Sequence, residues 1–90
     1  MANKRELKHA INSVCNELFA ECEAVAHYGN KSDDENIGAI LISIITINND
    51  FVRRVSHPEP GMKPRTYFKN LTSNFNKHVV EILDQISSFN

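Results

Sequence analysis

Apolar residues recur at spacings of three and four along three segments of the chain. The middle segment, from Ser32 to His57, is the most apolar. At 100° per residue its apolar side chains share one arc of about 160°, formed by Ile37, Ile40, Leu41, Ile44, Ile45, Ile47, Phe51, Val52 and Val55. The segment lacks the alternating pattern of a β-strand, because residues 40–42 are all apolar and would place apolar groups on both faces of a sheet. The segment predicts a helix over about residues 33–56, with a Ser32/Glu35 capping box at its start.

Two further segments carry the same helical periodicity. Residues 4–28 predict a first helix that Asn3 caps and that Gly29 ends in a left-handed conformation. Residues 64–88 predict a third helix that opens at Pro64, where the missing N–H costs nothing. The expected core stripes are Leu7, Ile11, Val14, Leu18, Val25 and Tyr28 in the first, and Phe68, Leu71, Phe75, Val79, Ile82, Leu83, Ile86 and Phe89 in the third.

The lengths of these segments and of their connections predict the architecture. Each helix has about 25 residues, or about 37 Å at the rise of an α-helix. A tight turn joins the first two helices, and an eight-residue loop from His57 to Pro64 joins the last two. Short connections between helices of equal length imply antiparallel neighbours. We therefore expect an all-α fold: a single domain over residues 1–90, built as an up-down-up three-helix bundle with long antiparallel helices.

The composition is ordinary for a soluble protein. The chain is 41% hydrophobic and 23% charged, with a formal net charge of −1. It opens with MANKREL rather than an apolar signal core, and its longest apolar run is about half the length that crosses a bilayer. We expect a cytoplasmic protein that does not enter a membrane. Cys15 and Cys22 lie about 10.5 Å apart on one helix, too far to bridge, and are expected to be reduced core residues.

Folding the predicted bundle separates the charges. One end receives three carboxylates, from Glu6, Asp50 and Glu59, and eight cations, a net charge of +5; the cations are Lys4, Arg5, Lys8, Arg53, Arg54, Lys63, Arg65 and Lys69. The remaining charged residues give the other end a net charge of −6, so that the sum is the −1 of the whole chain. A nearly neutral chain is thus predicted to be strongly dipolar, and such fields steer charged partners.

The basic end also holds the loop with all three prolines of the chain. Proline fixes its own backbone and restricts the preceding residue, so the loop is predicted to be stiff and extended. We expect one exposed binding patch formed by Arg53, Arg54, His57, Pro58, Pro60, Met62, Lys63, Arg65 and Lys69. The alternative is solvated charge without a dedicated partner, because cations at a helix C-terminus, such as Arg53 and Arg54, are favoured by the helix dipole alone.

Three polar residues lie within or beside the apolar arcs. Asn48 is near the centre of the second helix's arc, and a buried amide in a bundle commonly fixes register or oligomeric state. Glu21 falls on the core side of the first helix, at nearly the height of His78 on the third. We expect a partly buried Glu21–His78 pair, because a buried carboxylate needs a partner.

Patterns typical of catalysis are weak in this sequence. Helical di-iron sites need Glu-x-x-His on two helices, whereas this chain offers only Glu23-x-x-x-His27 and the reversed His78-x-x-Glu81. It contains no Gly-rich phosphate loop and no cysteine spacing typical of zinc sites. We therefore expect a protein that is not an enzyme, with no catalytic residues, no metal ligands and no cofactor.

The opening MANKRELKHAIN and the loop SHPEPGMKPR resemble a group of short, uncharacterised bacterial proteins thought to be all-helical. The resemblance covers most of the chain. It implies helices and a bacterial cytoplasmic setting, and it brings no activity and no site residues.

Two functions follow from these features. The first is a non-enzymatic protein-interaction module that presents its basic, proline-rich end to an unknown protein partner, as a monomer or as a homodimer. The alternative is binding of nucleic acid or a phosphate ligand through the same end. Phosphate binding would weaken steeply with salt, whereas protein binding through Pro58, Pro60 and Met62 would depend on salt much less.

Overall fold

A computed structural model describes residues 3–29 and 34–88 of the chain. Its three helices are α1 (Lys4–Tyr28), α2 (Glu35–Ser56) and α3 (Pro64–Ser87). They hold 71 of the 82 described residues, and no strand occurs within those residues. The prediction of an all-α three-helix bundle is confirmed.

The helix starts are set by side chains that accept backbone hydrogen bonds. The Glu6 N–H donates to the Asn3 carboxamide oxygen at 2.8 Å, which confirms the predicted cap of α1. The start of α2 differs from the prediction: the cap is Asp34, whose carboxylate accepts from the Asn36 N–H at 2.7 Å. Glu35 is therefore the first helical residue rather than the third of a capping box. Ser32, the predicted cap, lies outside the described residues.

The helix ends also depart from the prediction in detail. Gly29 has φ −90° and ψ 1°, so the expected left-handed ending of α1 is wrong. Its N–H instead donates to the Val25 carbonyl at 3.0 Å, which continues the helical pattern for one more residue. At the end of α3, the Ser88 N–H donates to the Asp84 carbonyl at 3.2 Å although the helix proper ends at Ser87.

The three helices enclose one apolar core along an elongated body of 48 × 18 × 17 Å. Most of each predicted apolar stripe meets there. The predicted core positions of Tyr28, Ile45 and Leu83 are wrong, because these side chains are exposed. Phe89 lies outside the described residues. The packing is uneven: α1 and α2 share the most extensive interface, α3 packs less closely on α2, and α1 touches α3 least. The buried residues are Ile11, Cys15, Leu18, Cys22, Ala26, Ile37, Ile40, Ile44, Phe51, Val55, Leu71, Phe75, Ile82 and Ile86.

Phe51 is the largest of the fully buried side chains, with 1% of its surface exposed. Its ring meets the ring of Phe75 edge to face, with the centroids 5.3 Å apart. The Arg54 guanidinium lies 4.9 Å from the centroid of the same ring. The Phe51 ring thus links α2 to α3 in the core, and the Arg54 guanidinium packs over the same ring from the surface.

The predicted buried pair of Glu21 and His78 is wrong. Glu21 is exposed, because the neighbouring Cys22 takes the core position at 0% exposure and a helix turns Glu21 away by about 100°. His78 is about half exposed, and its Nδ1 lies 3.9 Å from a carboxylate oxygen of Glu81 on the same helix. Its ring packs against Phe51, with the centroids 5.6 Å apart.

Apolar side chains also lie on the outside of α2. Ile42 is 66% exposed and Ile45 49% exposed, while Leu41 and Val52 are half-buried. At 100° per residue these four side chains fall within a sector of about 100°, which we call the apolar face of α2. Despite this face, no helix within residues 3–29 and 34–88 combines the length and the apolarity needed to cross a membrane.

Asn48 borders the apolar face of α2 near the middle of the helix. The residue is half-buried, and its side-chain oxygen is buried without a hydrogen-bond partner among the described residues. A buried acceptor that makes no hydrogen bond costs about 1–3 kcal/mol. Among the described residues, the Asn48 oxygen is the one buried side-chain polar atom without a partner, at a position where the rest of the arc is apolar.

Candidate binding surfaces at the basic end

The up-down-up topology brings the start of α1, the end of α2 and the start of α3 to one end of the bundle. A hydrogen bond fixes two of these segments to each other: the Tyr67 hydroxyl of α3 donates to the Arg54 carbonyl of α2 at 2.9 Å. The same hydroxyl lies 3.5 Å from the His57 carbonyl. Because the last carbonyls of a helix have no partner within it, this hydroxyl satisfies the end of α2 and positions the proline loop.

Local turns shape the proline loop, residues 57–63. The His57 N–H donates to the Arg53 carbonyl at 3.0 Å, and the Met62 N–H reaches the Glu59 carbonyl at 3.4 Å. Gly61 has φ +85°, a left-handed conformation that glycine adopts without strain. Pro64 then begins α3 as predicted.

A groove of about 730 Å³ runs between the start of α1 and the start of α3. Its apolar walls are Leu7 and Phe68, which are both half-buried. Its rim carries three exposed cations, Lys4, Arg65 and Lys69. None of the three makes an ion pair with a carboxylate of the described residues. The groove therefore combines apolar surface with uncompensated positive charge, and we call it the basic groove.

A second, smaller groove of about 350 Å³ lies on the other flank of α3, and its lining includes Arg54, Glu59, Met62 and Tyr67. Its cation is already engaged, because an Arg54 guanidinium nitrogen lies 3.0 Å from the Asp50 carboxylate, one helical turn earlier. This groove has less free positive charge than the basic groove.

The predicted binding residues thus fall into two groups rather than one continuous patch. Arg65 and Lys69 line the basic groove, whereas Arg54 and Met62 line the smaller one. The two groups lie on opposite flanks of α3, since Arg65 and Tyr67 are about 200° apart around the helix. The remaining predicted residues, which line neither groove, are Arg53, His57, Pro58, Pro60 and Lys63; all are exposed except the half-buried Pro58.

The basic groove is lined by residues for which the sequence predicts other roles. Leu7 and Phe68 belong to the predicted core stripes and pack, partly buried, against the core, while Lys4 is predicted only as part of the charge of this end. They form a groove because α1 and α3 pack against each other least closely of the three helix pairs. The available signal was the spacing of Arg65, Phe68 and Lys69, which places two cations within one turn of an aromatic ring.

Both cysteines lie in the core and are unpaired. Burial raises the pKa of the Cys15 thiol. Burial, followed by the nearby Glu23 carboxylate, raises the pKa of the Cys22 thiol. A thiol with a raised pKa is a poor nucleophile at neutral pH. Within residues 3–29 and 34–88, no three His, Cys, Asp or Glu residues are grouped so as to hold a metal ion.

The fold and its surfaces define a small all-α domain with charge separated along its length and an open groove at its basic end. Comparisons with protein-family models, with curated proteins and with solved structures found no match for this chain. The geometry described above is therefore the basis for a functional assignment.

Proposed function

We propose that this protein is a non-enzymatic protein-interaction module that binds a partner through the basic groove. The observation that carries the proposal is the pairing of apolar walls, Leu7 and Phe68, with a rim of cations that no described carboxylate neutralises. Apolar walls supply binding energy through burial, and convergent charged groups supply orientation and specificity. An ordinary solvated end would have scattered cations without an apolar groove between them.

The chemistry of the groove selects an acidic amphipathic segment as the partner. One or two apolar side chains of that segment would fill the groove between Leu7 and Phe68. Its carboxylates would approach Lys4, Arg65 and Lys69 at the rim. The net charge of +5 at this end would raise the rate of encounter with such a segment.

The proline loop adds a second contact to the proposal. Its restricted residues, Pro58 and Pro60, leave little backbone freedom to lose on binding, which lowers the entropic cost of association. Met62, which is 36% exposed, gives the loop an adaptable apolar side chain. In line with the resemblance of the sequence, the proposed setting is the bacterial cytoplasm.

The test compares two charge-matched variants in capture from the native cytoplasm. The groove variant carries Arg65→Gln and Lys69→Gln, and the control carries Arg53→Gln and Arg54→Gln, so that each loses two charges from the same end. We expect the groove variant to lose the captured protein while the control retains it. Both should melt within a few degrees of the native protein, because exposed charges contribute about 0–1 kcal/mol. Equal capture by the two variants would refute the groove as the binding site.

A second arm separates a protein partner from a phosphate-containing one. The extract is treated with nuclease, and the captured protein is purified and measured against the groove by titration. A protein partner should still be captured after nuclease treatment, and once purified it should bind the groove by itself. Loss of capture with nuclease, or no binding by the purified protein alone, would instead identify nucleic acid or another phosphate ligand as the occupant.

A further inference from the structure

The apolar face of α2 and the half-buried Asn48 are not used by the proposed groove, which lies between α1 and α3. We propose that this face pairs with a second copy of the chain, in an antiparallel dimer whose two-fold axis runs across the helices between Asn48 and Asn49. The proposal rests on three independent features: the order of side chains along α2, the charge separation, and the buried oxygen of Asn48.

The apolar side chains of α2 are spaced so that the helix can pair with an antiparallel copy of itself. An antiparallel contact centred between Asn48 and Asn49 places Ile45 of one copy opposite Val52 of the other, twice by symmetry. Ile45 is 49% exposed and Val52 half-buried, so both have apolar surface left to cover. An interface of this kind, the same patch on both copies, is the commonest way in which soluble proteins dimerise.

Charge selects the antiparallel arrangement over the parallel one. In an antiparallel dimer the end with a net charge of +5 lies beside the partner's end with a net charge of −6, and a parallel dimer would place like charges together. On α1, Arg5 and Glu23 are separated by about five full helical turns, so they share one side of the helix.

The same axis pairs those two charges across the dimer. The residue midway between Arg5 and Glu23 is Val14, which lies about four turns before the end of α1 at Tyr28. Asn49 lies about four turns after the start of α2 at Glu35. Because α1 and α2 are antiparallel, Val14 and Asn49 are at the same height. An axis at that height brings Arg5 of one copy level with Glu23 of the other.

The buried oxygen of Asn48 gains a partner in this arrangement. In the single chain this oxygen has no hydrogen-bond donor among the described residues. Across the axis, at the same height, lies the partner's Asn49, whose side-chain amide can donate. Since Asn48 is only half-buried, rotation of its side-chain amide turns the oxygen toward the interface. A central pair of amides between apolar contacts fixes the register of a helical dimer.

The size of the surface fits a stable dimer. The long side of the bundle measures 48 by 18 Å, a flat area of about 860 Å². Standard protein interfaces bury about 800 Å² on each partner. An interface of standard size would therefore occupy nearly the whole of one long side of the bundle.

Sedimentation equilibrium of the purified native chain provides the first test. We expect a monomer–dimer equilibrium whose dissociation constant rises at least about tenfold in Ile45→Glu. The matched control, Thr46→Glu, places the same charge on the next exposed residue, which points about 100° away, and should leave the constant within about twofold. A native chain that stays monomeric up to about 1 mM would overturn the proposal.

Disulfide trapping tests the register. When Ile45→Cys and Val52→Cys proteins are mixed and oxidised, they should form a cross-linked heterodimer. Neither should cross-link with itself, because two copies of one position lie about 10 Å apart along the helices. The native protein measures the background from Cys15 and Cys22, which are both buried. Self-cross-linking of either variant, or no cross-link in the mixture, would refute this axis.

Charge exchange tests the orientation. Arg5→Glu and Glu23→Arg should each weaken the dimer, and the double variant should restore it, because the exchange re-creates both opposite-charge pairs. Added salt should weaken the native dimer by screening attractive charges. A dimer that salt strengthens would be a parallel one and would overturn the proposal.

Discussion

Replacing Phe51 with alanine should destabilise the bundle more than any surface change. Phe51 is 1% exposed, and its ring contacts the Phe75 ring at a centroid distance of 5.3 Å. Truncation of a buried phenylalanine costs about 3–5 kcal/mol, through lost burial and the cavity left behind. A domain of 90 residues has a free energy of unfolding of about 5–13 kcal/mol. Phe51→Ala therefore removes at least about a quarter of the stability and lowers the melting temperature by at least about 12 °C.

Chemical denaturation followed by circular dichroism, at a low protein concentration where a dimer does not contribute, measures this loss. The conservative variant Phe51→Leu keeps most of the burial and loses the ring contact, so it should cost about 1–2 kcal/mol. The surface variant Arg54→Gln, which removes the cation above the ring, should cost less than about 1 kcal/mol. A loss below about 1 kcal/mol in Phe51→Ala would mean that α2 presents a different face to the core.

Three further variants or probes test local features. Asn3→Ala removes the acceptor for the Glu6 N–H and should lower the free energy of unfolding by about 0.5–2 kcal/mol in denaturant titration; no change would mean that α1 frays at its start. Gly61→Ala, at φ +85°, should lower the free energy of unfolding by about 1 kcal/mol in the same assay. No change would mean that the loop adopts a negative φ at this position. Cys15 and Cys22 should react with a thiol reagent only as fast as the bundle opens, and labelling as fast as in the unfolded chain would contradict their burial.

The helices were predictable because their signals are local. A cap such as Asn3 acts within one turn, and apolar periodicity along the whole length of a helix averages out single exceptions. The errors also lie at single positions. Glu21 was placed in the core although Cys22 beside it fits the core better, and Gly29 was assigned a left-handed conformation that its hydrogen bond to Val25 does not require.

The basic groove was not predictable from the same signals. Periodicity identifies which face of each helix is apolar, but it does not give the distance between two helices that meet along those faces. Leu7 and Phe68 have the pattern of core residues, and only the looser packing of α1 on α3 leaves them lining a groove. The division of the cations into two groups likewise depends on which flank of α3 each helix approaches.

The uneven packing of the helices has a consequence for how the chain folds. α1 and α2 share the largest interface across a short connection. α3 adds a smaller interface with α2 and the smallest with α1, and only its contacts with α1 span a long stretch of chain. The helical hairpin of α1 and α2 should form in the transition state, and α3 should dock afterwards. The reverse path follows in the native state: α3 should detach before the hairpin opens, so that limited proteolysis cuts first in the proline loop and leaves an intact α1–α2 fragment. First cleavage inside α1 would contradict this order.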